Sequence, residues 1–533
     1  MKFHLDLPDD WLKEPACKPF TLFRDRIRPM LEARRRELDA MYEPVLGRPE
    51  ADPVLLLGVT ILQMLERLPD RRAATACRFD LRWRIALELP ADWAGIHPTT
   101  LCLFRARLAE HGQGRLALDA ALAALRRDGH LACRGPVRID STHVLGAIAR
   151  LSRLDCVRET LRLALLFLDG LGGPGSWEPW LSTYVRPHPD EPRNPSATRV
   201  EATMEQAGRD AAAVLERAAR LGAAATDAAP VALLQRVFDE QFARGAPGDP
   251  APRPCTPAGA VHTPHDPQAQ WSTKLPLGTS GWVGYKAQVC ETAPEQPRAK
   301  GEPTAAVITA VVVQPATTSD HGSLVPVLAA QREAGQQGAE MVFADAGYVS
   351  APALDTAAAA GYELCGPVGA PPHGGKRFGS DWFAVDLPAR AATCPVGHAS
   401  VHCSRIAERG SGKTYYYFEW AASDCAGCTR RADCLSTKRR SPFRTLQVGE
   451  RHMVVQARRA LCKTPDYRIR MRRRNAIEGT HSELKRGYGL QRCRYRGLQR
   501  TAVQLQAIAA ACNLRRWAAR LDWTERQKRK TET

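Results

Sequence analysis

Val137-Arg138-Ile139-Asp140-Ser141-Thr142 and Met341-Val342-Phe343-Ala344-Asp345 decide how this chain is read. Each is a short β-like run that reaches an acidic side chain. Two stronger strand candidates lie between them, Trp282 to Val289 and Ala306 to Val313, and Tyr362-Glu363-Leu364-Cys365 follows them. Helical spacing fills the intervals at about 322–334 and 350–360. The order strand, strand, strand, helix, strand, helix, strand predicts an α/β fold, a mixed sheet covered by helices. Asp140 and Asp345 would then end their strands, at the edge where such sheets place their sites.

Upstream, the first 125 or so residues read as helical. Leu55, Val59, Leu62 and Leu65 share one helix face after the turn-like Gly47-Arg48-Pro49 and Asp52-Pro53. A second helix starts near Pro69-Asp70, with Asp70 as its cap. A third follows His97-Pro98-Thr99, with Leu101, Phe104 and Leu108 inward and Arg105 and Arg107 outward as candidate DNA contacts. A plain helical packing or dimerisation unit is the alternative. Between the first two strands, helices are expected at about 151–168, 198–223 and 230–243, before a Pro/Gly-rich linker from Gly245 to Pro257. The expected division is a helical unit over 1–125 and a catalytic unit over 130–520. The latter carries a helical insertion at about 151–260 and a Cys-rich one at 390–440, and a basic tail follows at 521–533.

At 533 residues the chain exceeds the ~250–300 at which one core stops growing. Its 44% hydrophobic content excludes a disordered chain, and its net charge of +18 points to a polyanionic partner. No apolar run has the length of a membrane span, and Met1 to Leu12 has no apolar signal-like core. Sixteen cysteines then read as buried thiols or metal ligands, not as disulfides. The expectation is a cytoplasmic, nucleoid-associated protein.

A third acid, Glu478, sits where a further helix is expected to open. Two carboxylates from strands and one from a helix can hold two Mg²⁺ or Mn²⁺ ions, which phosphodiester chemistry needs because the reacting centre is itself anionic. Glu483 competes for the same place, but five residues along a helix turns a side chain by about 140°, so only one of the two faces the sheet. Arg474, His481 and Lys485 share the Glu478 face. The plainer alternative is that Asp140 caps its own turn through Ser141 and Thr142, as Asp345 does ahead of Gly347.

Between Asp345 and Glu478 lie Cys394, Cys425, Cys428 and Cys434, the ligand count of a structural Zn²⁺, with His398 and Cys403 as substitutes. Reduced buried thiols are the alternative. Eleven Arg and Lys stand between Arg468 and Arg500 against Glu478 and Glu483, a net +9 that includes Arg473, Arg474, Lys485 and Arg486. Such a run suits backbone contact with DNA, with Tyr488 and Tyr495 interleaved for stacking. The Arg526 to Lys530 tail is expected to be disordered.

These residues resemble bacterial insertion-sequence transposases of the DDE type, whose catalytic domain is ribonuclease H-like. Asp140 in Ile-Asp-Ser-Thr and Asp345 in Ala-Asp-Ala-Gly-Tyr match the family's two aspartates. Arg474, Glu478 and Lys485 match Arg-x3-Glu-x6-Lys of its C-terminal signature, whose leading Tyr is Met471 here. Tyr42 to Leu108, Gly497 to Leu514 and the cysteine spacing are also similar to those transposases. The resemblance implies cleavage at element ends and transfer of the 3′ ends to target DNA, with no small-molecule substrate; since two ends must be brought together, a homodimer on DNA is expected by symmetry. A catalytically silent DNA-binding relative and a ribonuclease H-like nuclease are the rival expectations.

Overall fold

The computed structural model describes residues 9–42, 51–90, 92–147, 151–172, 176–186, 196–244, 249–273, 281–295, 299–369, 377–408, 412–436 and 441–532. The turn at Gly47-Arg48-Pro49 and the first residues of the Gly245 linker lie outside them. Within the linker's described part, Pro250–Pro252 pairs with Phe242–Arg244 as a small hairpin.

The main sheet holds β1 (Gly135–Leu145), β2 (Gln270–Thr273), β3 (Gly281–Thr292), β4 (Ile308–Pro315), β5 (Ala339–Phe343) and β6 (Glu363–Cys365). Its order is β4-β3-β1-β5-β6, with β2 paired to the start of β3 beside β4. β3 runs antiparallel to β1 and β4, while β5 and β6 run parallel to β1. Three antiparallel strands followed by two parallel ones, with the first strand central, is the ribonuclease H-like arrangement. Asp140 pairs with Val289 in the middle of β1. The strand outruns the apolar stretch, so the expectation that Asp140 closes its strand is corrected.

Alternation along β1 sorts its side chains. Val137 and Ile139 pack with Val327 of α9 (Leu324–Glu333) and Ala357 of α10 (Ala351–Ala359). Arg138 and Asp140 face the other way, toward α12 (Pro465–Tyr488). That face of the sheet shares one continuous core with the N-terminal helices and with α13 (Leu498–Glu532). The 1–125 segment therefore has no core apart from the sheet's. Asn513 on α13 binds both the N–H and the C=O of Ile308, at 2.9 and 2.8 Å, and so covers part of the β4 backbone.

Helix α1 (Pro53–Glu66) begins where Asp52 accepts from the Val54 N–H at 2.9 Å, and ends at Arg67 in a left-handed conformation. It is enclosed on nearly all sides, because α13 and the N-terminal turns surround it. Leu55, one of the four predicted core residues, is the one left partly exposed. Gly58 permits this: a Cβ there would lie 3.0 Å from Leu87 and 3.1 Å from Phe23. Helix α2 (Asp70–Phe79) corrects the predicted cap, since Asp70 lies inside the first turn and takes Arg105 and Gln63 instead. Helices α3 (Leu81–Leu87), α4 (Pro98–Glu110) and α5 (Leu116–Arg127) complete this part.

Helices α6 (Arg153–Gly170), α7 (Ala197–Arg220) and α8 (Ala229–Gln241) form the first insertion around their own core, including Leu161, Leu165, Val214 and Leu234. The Cys-rich insertion is a three-stranded sheet and a small hairpin around Phe383, Phe418 and Trp420. Helix α11 (His452–Lys463) leads into α12. Glu478 lies past the middle of α12 rather than at its opening. The predicted disordered tail is also corrected: α13 continues to Glu532, supported by Asp522–Arg526 at i,i+4 and Lys18–Glu525 at 2.6 Å. No helix among the described residues is long and apolar enough to cross a membrane.

Candidate active site

Asp140 and Asp345 each spend one oxygen locally, as the turn-capping alternative expects. Asp140 Oδ1 accepts from the Ser141 N–H and Asp345 Oδ1 from the Gly347 N–H, both at 2.8 Å. Their other oxygens point elsewhere. Arg474 Nη2 stands 3.4 Å from Asp140 Oδ2 and 3.8 Å from Asp345 Oδ2, and its Nη1 is 3.8 Å from Glu478 Oε1. Three acids remote in sequence thus surround one guanidinium, graded from Asp140 at 13% exposure to Glu478 at 69%. Glu483 turns away to Arg516 on α13, at 2.7 Å, so the helical angle separates the two glutamates as expected.

Helix α12 is fixed to the sheet by a buried ion cluster. Glu291 of β3, fully enclosed, receives Arg138 at 2.7 Å, Arg516 at 3.0 Å and the Thr480 hydroxyl at 2.8 Å. Arg138 also donates to the Arg473 carbonyl at 3.0 Å, which joins β1 directly to α12.

Sequence reasoning missed Asp320, in the turn after β4. A Cβ on Gly347 would lie 3.0 Å from Asp345 Oδ1 and 3.2 Å from Asp320 Oδ2, so glycine at 347 lets both carboxylates close in. Asp320 Oδ1 stands 3.4 Å from Lys286 Nζ and accepts from Gln288 at 3.2 Å. The available signal was positional: an acid shortly beyond a predicted strand, the pattern that had picked out Asp345.

Burial raises the Asp140 carboxyl to about 6, and the nearby Asp345 and Asp320 charges add to this against the Ser141 N–H and Arg474. Burial pushes the His481 imidazole down to about 4. The linkage for Asp140 has a definite sign. Its folded-state pKa is raised, so the ionised carboxylate costs stability; the cost grows from about pH 4 to about pH 6 and is complete above that. Asp140→Asn is therefore expected to stabilise the metal-free protein at pH 8 by about 1–2 kcal/mol. Urea denaturation at pH 8 and pH 4.5 measures it, and an equal gain at both pH values would contradict the burial argument.

Several sequence-derived contacts are placed differently. Arg105 is not outward: it is 2% exposed, pairs with Asp70 at 2.6 Å and Gln63 at 3.1 Å, and lies over the Tyr495 ring. Arg107 lies over Tyr42, its guanidinium 4.1 Å from the ring centre. Tyr488 is buried against Arg515, which removes it as a stacking surface. Arg473 binds the Ala293 carbonyl and Glu295 at the end of β3, while Lys485 is half-buried and Arg486 is exposed. Met471, at the signature's Tyr position, packs with Phe343 and Cys365.

Cys394, Cys425, Cys428 and Cys434 line one cavity with His398 and Asp424. Cys403 lies outside that lining, packed against the small core of the insertion. The Cys434 thiol is raised by burial and, against the neighbouring Arg444, by the three other thiols. Among the described residues, no three His, Cys, Asp or Glu side chains stand in the geometry of a bound metal, here or at the acidic cluster.

The sheet order thus brings acids from two strands and a helix around one guanidinium. Residues 393–518 match the family described as "Transposase DDE domain", and residues 14–107 match "Transposase domain (DUF772)". Over these two spans the chain is similar to transposases, and the matches support an insertion-sequence transposase of the DDE type. Glu478, Arg474, Lys485 and the four cysteines lie within the first span, and Asp140 and Asp345 lie outside both. No curated protein and no solved structure matches the chain.

Proposed function

We propose that this transposase cleaves DNA at the ends of its element and joins the freed 3′ ends to target DNA. The convergence of Asp140, Asp345 and Glu478 on one cationic side chain supports this most strongly. In cleavage, water forms a bond to phosphorus and the P–O3′ bond breaks, leaving a 3′-hydroxyl. In transfer, that hydroxyl attacks a target phosphodiester and a target 3′-hydroxyl departs.

The three carboxylates form a hard oxygen donor set that suits Mg²⁺ or Mn²⁺, and the guanidinium among them marks a place that favours positive charge. Two such ions, when bound, activate the attacking oxygen and stabilise the leaving one. Asp140 must be ionised to take part, which its raised pKa permits above about pH 6. Arg474 would exchange its carboxylates for a phosphate, and Lys485 and Arg486 would extend that basic surface along the backbone. The helical unit to about residue 125 would read the element ends, without Arg105. Because two ends must meet, a two-fold dimer is the simplest assembly.

Purified protein with DNA carrying the gene's own flanks tests this. Mg²⁺-dependent cutting at defined ends followed by joining is expected. Binding without cutting would favour a silent DNA-binding protein, and cutting without end preference or joining would favour a nuclease.

The cavity lined by Cys394, Cys425, Cys428 and Cys434 supports a structural Zn²⁺ as a further proposal, its role being to fold the Cys-rich insertion. About one zinc per chain is expected by atomic emission from protein purified under reducing conditions, lost in Cys428→Ser. Zinc-free parent protein with an unchanged melting temperature would exclude it.

A further inference from the structure

His481 lies one turn beyond Glu478 on α12, between the buried apolar residues Ile477 and Leu484. It is 8% exposed, yet neither ring nitrogen has a hydrogen-bond partner among the described residues. Leaving a buried polar nitrogen unpaired costs about 1–3 kcal/mol. An aromatic hydrocarbon of similar size would fill the place without that cost. The imidazole is not aimed at random: Nε2 stands 3.7 Å from Asp140 Oδ2. Asp140 Oδ1 is held by the Ser141 N–H, so Oδ2 is the oxygen whose direction is set by α12. Its other neighbour there is Arg474 Nη2, at 3.4 Å. Once Arg474 turns toward a phosphate, His481 is the group left to orient Oδ2.

We infer that His481 is a positioning residue, whose Nε2–H donates to Asp140 Oδ2 and fixes that carboxylate for a divalent cation. The inference rests on the reading of Asp140 given under the proposed function. Carboxylates that hold metals are themselves hydrogen-bonded, and losing such a partner typically weakens metal affinity about 10–100-fold. A space-filling histidine would have no such effect.

Two substitutions separate these roles. His481→Phe keeps the ring and removes the N–H, while His481→Gln brings an amide N–H close to the place of Nε2. Mn²⁺ binding to the full chain at pH 7.5, followed by electron paramagnetic resonance of the free ion, is the readout. His481→Phe should bind Mn²⁺ at least about tenfold more weakly, and His481→Gln within about threefold of the parent. Parent-like binding by the Phe variant, or equal loss in both, overturns the inference. Should the Phe variant fail to fold, the Gln variant decides alone: near-parent affinity supports the role and a tenfold loss overturns it. Asp140→Asn is measured in parallel. If it loses Mn²⁺ binding while His481→Phe does not, the role of His481 fails alone. If it binds like the parent, the reading of Asp140 beneath the inference fails.

Discussion

Asp345→Asn and Glu478→Gln are each expected to lower Mg²⁺-dependent cleavage by at least about 1,000-fold, the scale seen when members of a catalytic unit are removed singly. Both replacements keep the size of the side chain and remove only its charge. In Asp345→Asn the new amide oxygen would still accept from the Gly347 N–H. Affinity for end DNA should therefore stay within about threefold, as read by gel shift in the absence of divalent ions. Glu483→Gln is the informative contrast, because Glu483 pairs with Arg516 rather than with the acidic cluster. It should cost stability and leave most of the cleavage rate. Residual cutting by Asp345→Asn above a few per cent of the parent would remove that residue from the chemistry.

Glu291→Ala is expected to destabilise the fold by about 3–5 kcal/mol, since it strands Arg138 in the interior with no counter-charge and leaves Arg516 with Glu483 alone. Those two guanidiniums are nearly inaccessible, at 5% and 6% exposure, and Glu291 is at 0%. Breaking one member of such a buried group leaves an uncompensated charge, which costs far more than the intact group contributes. Chemical denaturation of the full chain provides the measurement. A midpoint within error of the parent's would mean that the cluster does not bind α12 to the sheet.

The strands were legible because burial on both faces writes itself as apolar, β-branched runs, as in Ala306 to Val313. Asp345 stood out as an acid just past such a run. Other features depend on partners far away in the chain. Nothing local distinguishes Arg105, which is buried with Asp70, from Arg107 two residues on. The same holds for α1, whose spacing fits a one-sided helix until α13 closes over its outer side. Asp320 was hidden because its meaning comes from Gly347 and Lys286, reached through the folding of β3 and β5. Glu478 and Glu483 were separable from helix geometry alone, since their difference in direction is a local quantity.

The pairing of α13 with the first helices has a bearing on how the chain is made. Leu65 offers its carbonyl to Arg515, and Lys18 reaches Glu525. The early helices therefore wait for a helix made much later in the chain before their shared interior can close. Until then the apolar faces of α1 stay uncovered. A chain truncated before Leu498 would leave that shared interior open, while the two insertions would keep cores of their own.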